Sequence, residues 1–110
     1  MNITGFDVDK AKPAHNETIL AHEVIPEGMN PPFDSAWGYL EDNSEMEGHS
    51  HATEEVYMIF KGEGTVIVEE EEATVSAGDV VEIPPNAYHT MKCNNKGPLL
   101  WAAFWWNTGE

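Results

Sequence analysis

The feature that most confines this chain is how often its apolar runs are interrupted. Seven short runs, rich in β-branched and aromatic residues, span residues 19–25, 35–40, 55–60, 65–69, 80–83, 87–93 and 99–106. Turn formers close them, among them Pro26-Glu27-Gly28, Gly62-Glu63-Gly64, Ala77-Gly78-Asp79, Pro84-Pro85-Asn86 and Lys96-Gly97-Pro98. Strand-forming runs with turn signals at this spacing predict an all-β sandwich or barrel. No stretch beyond residue 30 keeps a 3.6-residue period, so helix is expected at most as a minor feature near the N-terminus. At 110 residues the chain accommodates one core. We divide it into a polar arm, 1–16, and a barrel domain, 17–110. The four consecutive glutamates, Glu69 to Glu72, sit between apolar runs and are expected at a solvated hairpin tip.

Candidate chemistry is concentrated in Gly48-His49-Ser50-His51-Ala52-Thr53-Glu54-Glu55. In an extended chain alternate side chains share a face, so His49, His51 and Glu55 point together while Ser50 and Glu54 point away. Two imidazoles two residues apart stand about 6.5 Å apart along a strand. That is near the separation needed by two donors about 2.1 Å from one ion, once the sheet curls and the rings lean together. A small barrel supplies such a concave face.

The second segment, Gly78 to His89, places a histidine after Pro84-Pro85-Asn86. With both segments in view the chain resembles the cupin family, whose motifs read G-x5-H-x-H-x3,4-E-x6-G and G-x5-P-x-G-x2-H-x3-N. His49, His51, Glu55 and Gly62 fall on the first, and Gly78, Pro84 and His89 on the second; residues 63–77 separate them. The resemblance covers about two-thirds of the chain. It implies an all-β double-stranded β-helix, or jelly-roll barrel, with one divalent metal per chain held by His49, His51, Glu55 and His89. Three positions depart from the pattern. Asn43 and Asn86 replace glycines; asparagine best tolerates a left-handed backbone after glycine, so both turns are expected to survive. Cys93 takes the place of the final asparagine.

Three imidazoles and a carboxylate suit iron, manganese, nickel, copper or zinc, and leave positions open for water or substrate. By parity, Tyr57 and Ile59 follow Glu55 inward, and Met91 and Cys93 follow His89. Tyr57 is the candidate for a hydrogen-bonding or proton-transfer role, with a plain core aromatic as the alternative. Trp37, Tyr39 and alternate members of Trp101 to Trp106 are expected to complete an aromatic wall. His15 and His22 are read as ordinary surface or satisfied core histidines, and Cys93, the lone cysteine, as a buried inert thiol.

The formal charge is -15, and all five basic residues are lysines. Such a surface repels polyphosphate, so nucleic acid and anionic membrane are poor partners. Without arginine there is no bidentate clamp for carboxylate or phosphate. The expected ligand is therefore a small neutral or weakly acidic oxygenated molecule that chelates the metal. The leading expectation is a metal-dependent enzyme of dioxygenase, isomerase or lyase type; the alternative is a non-catalytic metabolite-binding or sensor module. The absence of a signal-like or membrane-spanning run points to the cytoplasm. The run 55–60 is apolar on both parities, as is 99–106. A strand apolar on both faces must be covered twice, which predicts a homodimer.

Overall fold

The computed structural model describes residues 1–94 and 96–108. Nine strands form among them: β1 (Lys12–Ala14), β2 (Ile19–His22), β3 (Asp34–Leu40), β4 (Glu54–Lys61), β5 (Glu63–Val68), β6 (Glu71–Ser76), β7 (Val80–Ile83), β8 (His89–Cys93) and β9 (Leu99–Trp106). There is no helix among the described residues, so the minor N-terminal helix allowed by the sequence does not form.

All pairings are antiparallel. One sheet runs β1-β2-β3-β9-β4-β7 and the other β6-β5-β8. Their inner faces enclose a core built around Leu40, Met46, Ile83, Met91, Leu99 and Trp101. This is the jelly-roll barrel expected from the sequence.

Two strands lay outside the sequence reading, and both are edges. In β6 only Val75 is buried, so the glutamate-rich segment carried almost no apolar signal. The turn is confined to Glu69 and Glu70, while Glu71 and Glu72 already pair with β5. Charges on such an edge discourage pairing with another chain. β1 contains Pro13, tolerated because an edge strand need not donate from every N–H. Through β1, part of the expected polar arm is hydrogen-bonded into the large sheet.

The substituted turns keep their shape. Asn43 and Asn86 have φ of 60° and 65°, the left-handed backbone that the family's glycines accommodate.

The phase of the large sheet is set by Gly38. It pairs directly with Trp101, and a Cβ there would sit 2.4 Å from the indole. Only glycine lets the Trp101 ring fold across β3. With position 38 facing inward, Trp37 and Tyr39 must face outward. They pack there with the arm: Phe6 stacks on Tyr39 at 5.1 Å and meets Trp37 at 6.1 Å, and Trp37 meets Phe60 at 5.1 Å. The expectation that Tyr39 completes the pocket's aromatic wall is thus corrected, whereas Trp37 borders the cavity although its ring packs with Phe6 and Phe60.

Candidate metal centre

Three histidines reach one point from two segments. His49 and His89 are direct cross-strand partners: each backbone N–H donates to the other's carbonyl, at 3.1 and 2.9 Å. This pair fastens the 49–51 segment to the small sheet. Gly48 permits the close approach, since a Cβ there would collide with the Tyr88 ring. The backbone N–H of Asn86 donates to the His51 carbonyl, tying the second turn to the same segment. The donor atoms of His49, His51 and His89 lie within 4.8 Å of one another.

Each ring is oriented by a carbonyl. Nδ1 of His49 lies 3.2 Å from the Glu47 carbonyl, Nδ1 of His51 lies 3.1 Å from that of Thr53, and Nδ1 of His89 lies 2.9 Å from that of Ala87. A carbonyl can only accept, so Nδ1 carries the hydrogen and Nε2 is left with a lone pair. The Thr53 hydroxyl is also bonded to His51 Nδ1, at 2.8 Å. Tethering the distal nitrogen in this way is the usual means of aiming a metal-binding imidazole.

Glu55, only 5% exposed, brings Oε1 to 2.9 Å from Nε2 of His51 and 3.2 Å from Nε2 of His89. The Nε2 atom of His89 is fully buried and has no hydrogen-bond partner. Lone pairs on two imidazoles therefore face a carboxylate that is itself buried. One proton satisfies one such contact, whereas a divalent cation satisfies the whole group at once. The residues present fit a metal ion.

Above the histidines opens a cavity of about 390 Å3. Trp101, Trp105, Ala21, Ala36 and Ala103 form much of its wall. Tyr57 reaches it too, with its ring 5.9 Å from that of His89. Burial, reinforced by the Glu55 carboxylate, pushes the Tyr57 phenol well above its ordinary value. It therefore stays protonated, a hydrogen-bond donor. Ile59, Met91 and Cys93 are buried as parity implied, but they belong to the core and not to the cavity wall. Burial, then Asp42, raises the Cys93 thiol, in keeping with an inert cysteine. Glu54 turns outward and accepts a hydrogen bond from the Trp106 indole at 2.9 Å. His22 is satisfied on both nitrogens, by the Asp7 N–H and the Glu23 carbonyl.

His15 is the residue the sequence reading missed. It sits on the β1–β2 turn, lines the cavity and stacks on His49 with ring centroids 4.2 Å apart. Desolvation lowers the pKa of both imidazoles, partly opposed at His15 by Glu55 and at His49 by its bond to Glu47. Asn16 was the only local hint of a turn, and no motif ties position 15 to position 49.

A sequence-family profile described as "Cupin domain" matches residues 38–106. No curated protein matches the chain. Among solved structures, the plu4264 protein from Photorhabdus luminescens superposes with a TM-score of 0.82 at 27% identity, covering 98% of this chain and 90% of that one. A predicted oxalate decarboxylase from Thermotoga maritima gives 0.76 at 18%, covering 94% and 99%. DMSP lyase DddQ from Ruegeria pomeroyi gives 0.73 at 19%, covering 96% and 56%. At such identity the last two speak for the fold alone. The profile match and the fold agree with the paired motifs: the chain belongs to the cupin family.

Proposed function

We propose that this cupin binds one divalent transition metal through His49, His51, Glu55 and His89, and acts as a metal-dependent enzyme on a small oxygenated molecule. The observation that carries the reading is the fully buried Nε2 of His89, which makes no hydrogen bond and lies 3.2 Å from the Glu55 carboxylate beside two more imidazoles. Structural metal sites are closed by protein ligands, whereas this group opens into a cavity, which favours chemistry or ligand exchange. When bound, the ion supplies Lewis-acid polarisation of a chelated oxygen and, for a redox-active metal, electrons.

The chain's own groups do the remaining work. The carbonyl tethers keep the imidazoles aimed, with Nε2 toward the ion. Tyr57 donates a hydrogen bond into the cavity beside Glu55, and Trp101 and Trp105 exclude water from its walls. None of the five lysines lines the cavity, and the chain has no arginine. This supports a neutral or weakly acidic ligand over a strongly anionic one. As part of the same reading, a second copy of the chain covers the outer face of the large sheet, where Met58, Phe60 and Val80 are exposed.

The test is a screen of metal-loaded protein against hydroxy-ketones, enols and weak hydroxy acids, with and without oxygen. Oxygen uptake with iron, manganese or copper supports dioxygenase chemistry. Turnover independent of oxygen supports an isomerase or lyase. Binding without turnover across the panel contradicts the enzymatic reading.

A further inference from the structure

His15 is held at the mouth of the cavity by a defined clasp. The Thr18 hydroxyl donates to the His15 carbonyl at 2.7 Å and accepts the backbone N–H of Glu47 at 2.8 Å. The turn is thereby fastened to the segment that carries His49. The chain passes through His15, Asn16 and Glu17 with φ of 50°, 59° and 65°, three successive left-handed residues without a glycine. Such a backbone persists only where its surroundings hold it, and here they present an imidazole to the cavity.

The ring nitrogens set His15 apart. Each of the other four histidines ties a ring nitrogen to a backbone group. Those of His15 have no partner among the described residues. Its ring face lies on His49, so its nitrogens are free at the ring edge. Of the other polar groups at the cavity, Thr53 is engaged with His51, and most of the wall is apolar.

We propose that His15 is a specificity-determining residue: its imidazole hydrogen-bonds a second polar group on a metal-chelating ligand, selecting molecules with an N–H or O–H beside the chelating oxygens. This rests on the metal-binding reading above. An imidazole that accepts from the ligand favours a chelator with a donor over one whose donor is methylated, by about fivefold for one neutral hydrogen bond.

The test uses the full chain loaded with cobalt(II) and two matched chelators, acetohydroxamate and N-methylacetohydroxamate, titrated by visible absorption. They differ in one N–H. Wild type is expected to prefer acetohydroxamate, and His15→Phe, which keeps a ring on His49, is expected to lose about fivefold of that preference while binding cobalt as wild type does. His15→Gly, suited to the left-handed backbone and without any acceptor, should show the same loss and guards against a misfolded variant. An unchanged preference in both variants overturns the proposal. Loss of cobalt from His15→Phe also overturns it, by making His15 a metal ligand. Failure of wild type to bind cobalt overturns the metal-binding reading itself.

Discussion

The two faces of the six-stranded sheet are built from the same strands to opposite ends. On β4 the inward side chains Glu55, Tyr57 and Ile59 are 5%, 2% and 3% exposed, while outward Met58 and Phe60 are 38% and 52% exposed. On β9, Trp101, Ala103 and Trp105 line the cavity, whereas Trp106 faces out to Glu54. The inner face is specified atom by atom: Gly38 makes room for Trp101, and Glu55 reaches Nε2 of both His51 and His89. Beyond the arm's contacts with Trp37 and Tyr39, the outer face is specified only as apolar. An inner substitution should therefore damage the fold or the site, and an outer one should damage association.

Stability should separate the faces most widely. Trp101→Ala empties the space across Gly38 and is expected to cost about 3–5 kcal/mol in denaturant unfolding. Phe60→Ser in the isolated chain should cost less than about 1 kcal/mol. Equal costs would break the distinction.

Association comes next. Wild type should sediment near twice the 12.2 kDa chain mass, and Met58→Glu should return it to one. Because each chain carries a net charge of -15, added salt should strengthen the dimer by screening. A wild-type mass of one chain at micromolar concentration contradicts the outer-face account.

Acid should act on the histidines that the small sheet holds opposite this inner face. Burial lowers the His49 pKa below the ordinary 6.5, so the neutral ring is favoured by folding. Its contribution is fully present above pH 6.5 and is lost as pH falls through the lowered value. Unfolding midpoints in chelator should drop between pH 7 and 5, less so in His49→Gln. Metal affinity should fall over the same range, because each imidazole must shed its proton to bind. A metal retained unchanged at pH 4 argues against histidine ligation.

The smallest effect is expected from Tyr57→Phe, which removes one hydroxyl and little volume. Metal content should be unchanged and ligand affinity or turnover should fall severalfold, consistent with one hydrogen bond. No change in either makes Tyr57 a core aromatic.

Most of the inner face was legible in the sequence, because strand parity turns H-x-H-x3-E into one surface, and Asn86 still makes the turn before His89. Parity alone does not say which alternate set faces inward, so the expectation fails for Tyr39, while Trp37 borders the cavity with its ring turned to the arm. The collision of Trp101 with any side chain at position 38 decides it, and that contact exists only between strands distant in sequence. β6 was hidden because an edge strand needs few apolar residues. His15 was hidden because its place depends on a left-handed turn without glycine and on the Thr18–Glu47 clasp, neither of which leaves a local pattern.

The central claim is that His49, His51, Glu55 and His89 form one metal site. Its most direct test is elemental analysis of the natively purified chain beside His89→Ala and the nearly isosteric Glu55→Gln, each checked for fold by circular dichroism. The account predicts about one transition-metal ion per chain in wild type, almost none in His89→Ala, and reduced content in Glu55→Gln. Equal metal content in all three folded proteins would contradict it.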